Sequence, residues 1–147
     1  MKYLVVYERA AENWSAYVPD LPGCVATAET LDEAEETLRE AISFHIDGVR
    51  EAGEAIPEAS VQVGMVEAPG EPGARYLVVY EHGHNGYEAH APDLLPECET
   101  TGATLDAVRL SMNGAVGEYV ERLRRSGEAL PKPAAQVGTI EVELAIA

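Results

Sequence analysis

An α+β fold made of two tandem units is predicted by three observations. The chain repeats itself, each copy joins short strand patterns to one amphipathic helical pattern, and a proline- and glycine-rich stretch divides the copies. The repeat is read directly. Tyr3-Leu4-Val5-Val6-Tyr7-Glu8 returns unchanged as Tyr76-Leu77-Val78-Val79-Tyr80-Glu81, an offset of 73. One inserted residue, Leu94 or Leu95, moves the offset to 74. Beyond it Thr30-Leu31-Asp32 matches Thr104-Leu105-Asp106, and Gln62-Val63-Gly64 matches Gln136-Val137-Gly138. Residues 3–64 carry 25 identities in 62 aligned positions, far above chance. The expected organisation is a first copy at 1–67, a linker at 68–74 and a divergent second copy at 75–147. Two prolines and two glycines in Ala68-Pro69-Gly70-Glu71-Pro72-Gly73-Ala74 give that segment its linker character.

Each copy predicts the order β-β-β-α-β. An apolar strand opens it (Lys2 to Glu8; Arg75 to Glu81), a polar turn follows (Arg9 to Asn13; His82 to Gly86), and a second strand comes next (Trp14 to Val18; Tyr87 to Ala91). A stiff loop then turns the chain: Pro19-Asp20-Leu21-Pro22-Gly23-Cys24, echoed as Pro92-Asp93-Leu94-Leu95-Pro96-Glu97-Cys98. A third strand leads to a helix start at Thr30, where Glu33 completes a capping-box pattern. Leu31, Ala34, Leu38, Ala41, Ile42, Ile46 and Val49 recur at steps of three and four, marking one buried stripe. Gly53 and Pro57 stop the helix. The second helix keeps the stripe from Leu105 to Leu123. It puts Ala107 where the capping-box Glu would stand, and carries Gly114 and Gly117 in its interior. These glycines imply either a close packing partner or a weaker helix. A final strand is expected to close each copy (Val61 to Glu67; Gln136 to Leu144). Units of roughly 65 residues are marginal alone. Two of them can bury their remaining apolar surface against each other, as an intrachain pseudo-dimer.

Composition narrows the function. With 46% apolar residues a packed core is available. The 26 acidic and 10 basic residues give a net charge of −16, which opposes direct nucleic-acid binding and favours a basic protein partner. Two cysteines, Cys24 and Cys98, make neither a disulfide framework nor a four-ligand zinc site, and read as buried, inert thiols. No apolar run approaches ~18 residues and the N-terminus opens on a strand pattern, so the expected location is cytoplasmic.

No catalytic, cofactor or metal site emerges. His82, His84 and His90 cluster near one turn, but the first copy has Arg9, Ala11 and Tyr17 there. His45 reads as an edge-of-core residue. Asp20 and Asp93, Glu8 and Glu81, and Asp32 and Asp106 are matched carboxylates, each with a structural reading: loop amides, a strand end and a helix first turn. A metal-dependent nuclease would need such carboxylates to converge. Arg122, Arg124 and Arg125 suit a helix C-terminus.

The run Pro19-Asp20-Leu21-Pro22-Gly23-Cys24, with Thr30-Leu31-Asp32-Glu33-Ala34 and the tail Gly53-Glu54-Ala55-Ile56-Pro57-Glu58, resembles the HicB-like antitoxin family of type II toxin–antitoxin systems. The resemblance covers residues 1–67. Residues 75–144 resemble the same domain more loosely, with Glu97 in place of the loop glycine. Asn13 departs from the glycine usual before the aromatic residue. The resemblance implies a partial ribonuclease-H-like fold and a non-catalytic protein that neutralises a small basic HicA-type mRNA-cleaving toxin. A second antitoxin-like copy stands where many relatives carry a DNA-binding domain, so operator binding is not expected. The acidic helix face and loops are the expected contact, with Trp14, Asp20, Glu33, Glu36 and Glu40 as candidates. The alternative is a stand-alone, self-associating scaffold or sensing module without a toxin.

Overall fold

The computed structural model describes residues 1–142. It is α+β, with two four-stranded antiparallel sheets and two long helices. The first repeat forms β1 (Lys2–Arg9), β2 (Trp14–Tyr17), β3 (Val25–Ala28), α1 (Leu31–Glu51) and β4 (Gln62–Glu67). The second forms β5 (Arg75–Gly83), β6 (Gly86–His90), β7 (Glu99–Gly102), α2 (Leu105–Ser126) and β8 (Gln136–Glu141). Leu144, expected to end the last strand, lies outside the described residues.

The two repeats exchange their outer strands. One sheet has the order β3-β2-β1-β8, and the other β4-β5-β6-β7. Among the described residues the packed units are therefore 1–60 with 136–142, and 61–135. The expectation that β4 closes the first copy and β8 the second is corrected: each strand completes the other repeat's sheet. The registers are equivalent. Val5 lies opposite Gly138, and Val78 opposite Gly64. At both places a tyrosine ring, Tyr7 or Tyr80, lies over the strand glycine. A Cβ there would come within 3.3 Å and 3.4 Å of the ring.

The exchange also reaches the cores. In the first unit Tyr3, Val5 and Tyr7 of β1 face Ala34, Leu38, Ile42 and Ile46 of α1, and Ile140 from the second repeat joins them. In the second, Tyr76, Val78 and Tyr80 meet Val108, Met112, Val116 and Val120, joined by Val66 from the first repeat and Ala68 from the linker. Each large apolar side chain buried this way contributes about 1.5–3 kcal/mol.

Matched polar contacts hold the chain just before each crossing. Tyr3 Oη donates to Pro57 O (2.5 Å), and Tyr76 Oη to Pro131 O (2.6 Å). The Asp20 carboxylate accepts from the Ser60 amide (3.0 Å) and hydroxyl (2.9 Å). Asp93 accepts from the amides of Ala134 (3.0 Å) and Ala135 (3.0 Å). Ser60 and Ala135 are the last residues before the chain passes to the other unit.

Both helices start as their sequences predict. Thr30 Oγ1 accepts from the Glu33 amide, and Thr104 Oγ1 from the Ala107 amide, so the cap survives loss of the glutamate. Gly53 and Gly127 both take φ +72, the left-handed geometry that ends a helix. No side chain crowds Gly114 or Gly117: a Cβ at either would meet open space. Of the two readings of these glycines, the structure favours a helix weakened by propensity alone.

Two outcomes are expected. Gly114→Ala should raise the unfolding free energy by about 0.5–1 kcal/mol in denaturant titrations. Residues 1–67 made alone leave β1 without its outer partner and β4 without a sheet. Light scattering should then show twice the chain mass, two chains exchanging β4; a stable monomer would contradict the strand assignment.

Candidate functional site

The surface that gathers most of the expected contact residues is the outer face of α1. Glu33, Glu36 and Glu40 are all exposed and follow at steps of three and four, so they lie on one stripe. The stripe continues through Phe44, Asp47 and Glu51 at the same spacing, all exposed. The salt bridge of Arg39 to Glu35 (2.7 Å) lies off this line. In all, α1 carries seven acidic and two basic residues, a net charge of −5.

Trp14 and Asp20 stand on other elements. Trp14 is half-buried on β2 against the edge of the first core, with the Arg9 guanidinium 5.2 Å from its ring centroid. The Asp20 carboxylate is committed to Ser60.

Phe44 was absent from the sequence candidates. It is 83% exposed, the most exposed large apolar side chain described. Its signal was available: it is the chain's single phenylalanine and falls off the buried stripe, in line with the glutamates. Beside it a shallow notch of about 480 Å³ is lined by Gly23, Cys24, Ala41, Phe44, Gly48 and Val49, with His45 and Glu54 at its edge. His45 therefore sits at the border of a surface depression.

The matching face of α2 is different. Ala107, Leu110 and Gly114 replace the three glutamates, Glu118 replaces Phe44, and Arg122 and Arg125 replace Gly48 and Glu51. With three acidic and four basic residues, α2 has a net charge of +1. The Arg122 guanidinium lies 5.2 Å from the Tyr119 ring centroid, and Arg125 meets Glu121 at 3.5 Å.

Other candidates have structural places. The His82 ring lies 4.5 Å from that of Tyr87. His90 Nδ1 is 3.9 Å from Glu81, and burial pushes its pKa down against the opposing pull of Glu99. Among the described residues no three His, Cys, Asp or Glu side chains group closely enough to hold a metal ion. No described helix is long and apolar enough to cross a membrane. Cys24 and Cys98 are buried, and their thiols lie 4.0 Å and 3.8 Å from the Ala41 and Ala115 carbonyl oxygens. Burial raises both thiol pKa values. Cys98 goes from 9.0 to about 11, with Glu97 adding to the rise and Arg122 opposing it.

The profile of the "HicB_like antitoxin of bacterial toxin-antitoxin system" family matches residues 3–80, more than half of the chain. The chain belongs to the HicB-like antitoxin family. Among its relatives, an uncharacterised 14.9 kDa protein from the rep-hol intergenic region of Haemophilus phage HP1 is 40% identical over 60 residues. That match covers 41% of this chain and 45% of the phage protein, so the chain spans under half of that relative's length. A UPF0150 protein of Archaeoglobus fulgidus is 36% identical over 66 residues, covering 43% of this HicB-like chain and 96% of its own length. Similar solved structures include the N-terminal domain of Burkholderia pseudomallei antitoxin HicB, at 31% identity and TM-score 0.38. That similarity covers 41% of this chain and 73% of that one. The HicA3–HicB3 toxin–antitoxin complex is similar at 24% identity and TM-score 0.36, covering 41% and 71%.

The thiols of this HicB-like chain generate a pH prediction. The folded chain holds the Cys98 proton up to about 11, whereas the unfolded chain releases it near 9.0. The stability this contributes is fully present below pH 9 and is lost as pH rises through 11. Unfolding free energies measured between pH 8 and pH 11 should fall less steeply for Cys98→Ala than for the parent chain.

Proposed function

We propose that this chain is a non-catalytic, cytoplasmic antitoxin that captures a small basic toxin of the HicA type, and that the outer face of α1 makes the capture. The observation that carries this reading is the exposed acidic stripe of Glu33, Glu36, Glu40, Asp47 and Glu51, broken only by Phe44, on a helix of net charge −5. Membership of a toxin–antitoxin family supports it independently. The acidic stripe attracts a basic surface over about a Debye length of ~8 Å and steers its approach. The same charge opposes the pairing of two α1 faces, which disfavours self-association through this surface. The first repeat is then the binding copy. The second, whose α2 is close to neutral, supplies the strand that completes the first sheet. Trp14 packs at the edge of the first core, and Asp20 holds the segment that precedes the crossing.

The test is co-expression of the chain with the HicA-type reading frames of its source genome, scored by rescue of growth. One toxin should be neutralised, and its complex should weaken as salt rises. Replacing Glu33, Glu36 and Glu40 with lysine removes three attractions and adds three repulsions, each worth about 0.2–1 kcal/mol at an exposed site. The affinity should fall on the order of a hundredfold, with the melting temperature nearly unchanged. Unaltered affinity would remove α1 as the contact.

A further inference from the structure

The notch beside Phe44 adds a chemical requirement to that electrostatic surface. An exposed phenylalanine inside a line of carboxylates serves neither solubility nor the core. Gly48 opens the space next to it: a Cβ there would meet nothing within 4 Å, so any side chain would project into the notch. Gly23, from the proline loop, leaves the opposite wall equally bare. The floor is Ala41, Val49 and the buried Cys24. Helical spacing sets Glu40 one turn before Phe44, Asp47 three residues after it and Glu51 three after Gly48, while Glu54 lines the edge. An apolar depression therefore has Glu54 in its lining and a line of carboxylates along one flank.

We propose that this notch receives an apolar side chain from a basic segment of a partner protein, with Phe44 as the hot spot, and that each chain offers one such anchor. The inference rests on the capture reading above and specifies what the captured surface must carry. Charge decides the occupant. A second copy of this chain would bring its own net −16 to these carboxylates, whereas a lysine- or arginine-flanked apolar residue satisfies both the carboxylates and the floor.

The second repeat shows why the anchor is single. A depression of about 580 Å³ lies at the equivalent place, but Glu97, Glu118, Glu121, Arg122 and Arg125 line it. Ala115 and Tyr119 line it as well, but an apolar side chain entering there would strip water from five charged groups. Arg122 and Arg125 also repel a basic segment.

The probe is a synthetic peptide with a leucine–tryptophan pair flanked on both sides by lysines, titrated into the isotope-labelled full-length chain and followed by amide NMR. Shifts should concentrate at Gly23 and from Phe44 to Val49, and saturate at one peptide per chain. The double variant Phe44→Glu, Gly48→Arg carries the second repeat's own residues at exposed positions. It should melt as the parent does and bind about tenfold or more weakly. The reciprocal variant Glu118→Phe, Arg122→Gly should gain a second set of shifts around Tyr119. Shifts spread over the acidic residues of both units and unchanged in the double variant would overturn the notch, leaving electrostatic capture intact. Absence of binding at low salt would overturn it too. In the co-expression assay, toxin neutralisation that survives the double variant sinks the notch alone. Neutralisation of no toxin sinks the capture reading, while the peptide titration still decides the notch.

Discussion

The pairing of β1 with β8, and of β5 with β4, is the constraint on which the rest of the structure depends. A sheet edge left unpaired exposes a row of backbone donors and acceptors, and a small core left open on one side is marginal. Each repeat solves both problems for the other. Ile140 completes one core and Val66 the other, at equivalent positions. The matched aspartates of the two proline loops and the tyrosines of β1 and β5 then acquire a shared purpose: they fix the chain at the point where it leaves one unit. The duplication is a single folding entity in which neither copy owns a complete sheet.

Much of this architecture was legible in the residues. The repeat, the strand and helix order, both caps and the buried stripes all follow from local patterns, which report what a segment is and which face it buries. They do not report its partner. Gln62-Val63-Gly64-Met65-Val66 and Gln136-Val137-Gly138-Thr139-Ile140 present the same face, the same glycine and the same buried position. They face two strands of identical sequence. Either strand fits either sheet, so the exchange had no local signature. Asp20 illustrates the same limit. A loop carboxylate can meet a partner or a distant segment of its own chain, and Ser60 lies 40 residues away. Phe44 was readable as an apolar residue in the wrong register. Its neighbours on the stripe are all carboxylates, so the pattern there reads as a solvated acidic face.

The two helices show how a duplicated fold divides its obligations. At core positions the changes are modest: Leu38 to Met112, Ile42 to Val116 and Ile46 to Val120, all buried in both units. Cores tolerate such swaps because volume and apolarity are kept. On the outer face the changes invert the chemistry: Glu36 to Leu110, Glu40 to Gly114, Gly48 to Arg122 and Glu51 to Arg125. The fold is held by one set of residues and the surface set by another. The second copy can therefore lose its acidic face without loss of the strand it lends.

The register of the first sheet places Lys2 opposite Glu141, so a strand of the first repeat pairs with one far along the chain in the second. Non-local pairing of this kind is slow, because nearly the whole chain must be ordered before the contact forms. The acidic helix α1 emerges long before its own core is sealed by Ile140. The second unit uses the contiguous residues 61–135 and can close before the last strand of the first is made. The acidic helix thus belongs to the unit whose closure waits on a strand lent by the other repeat.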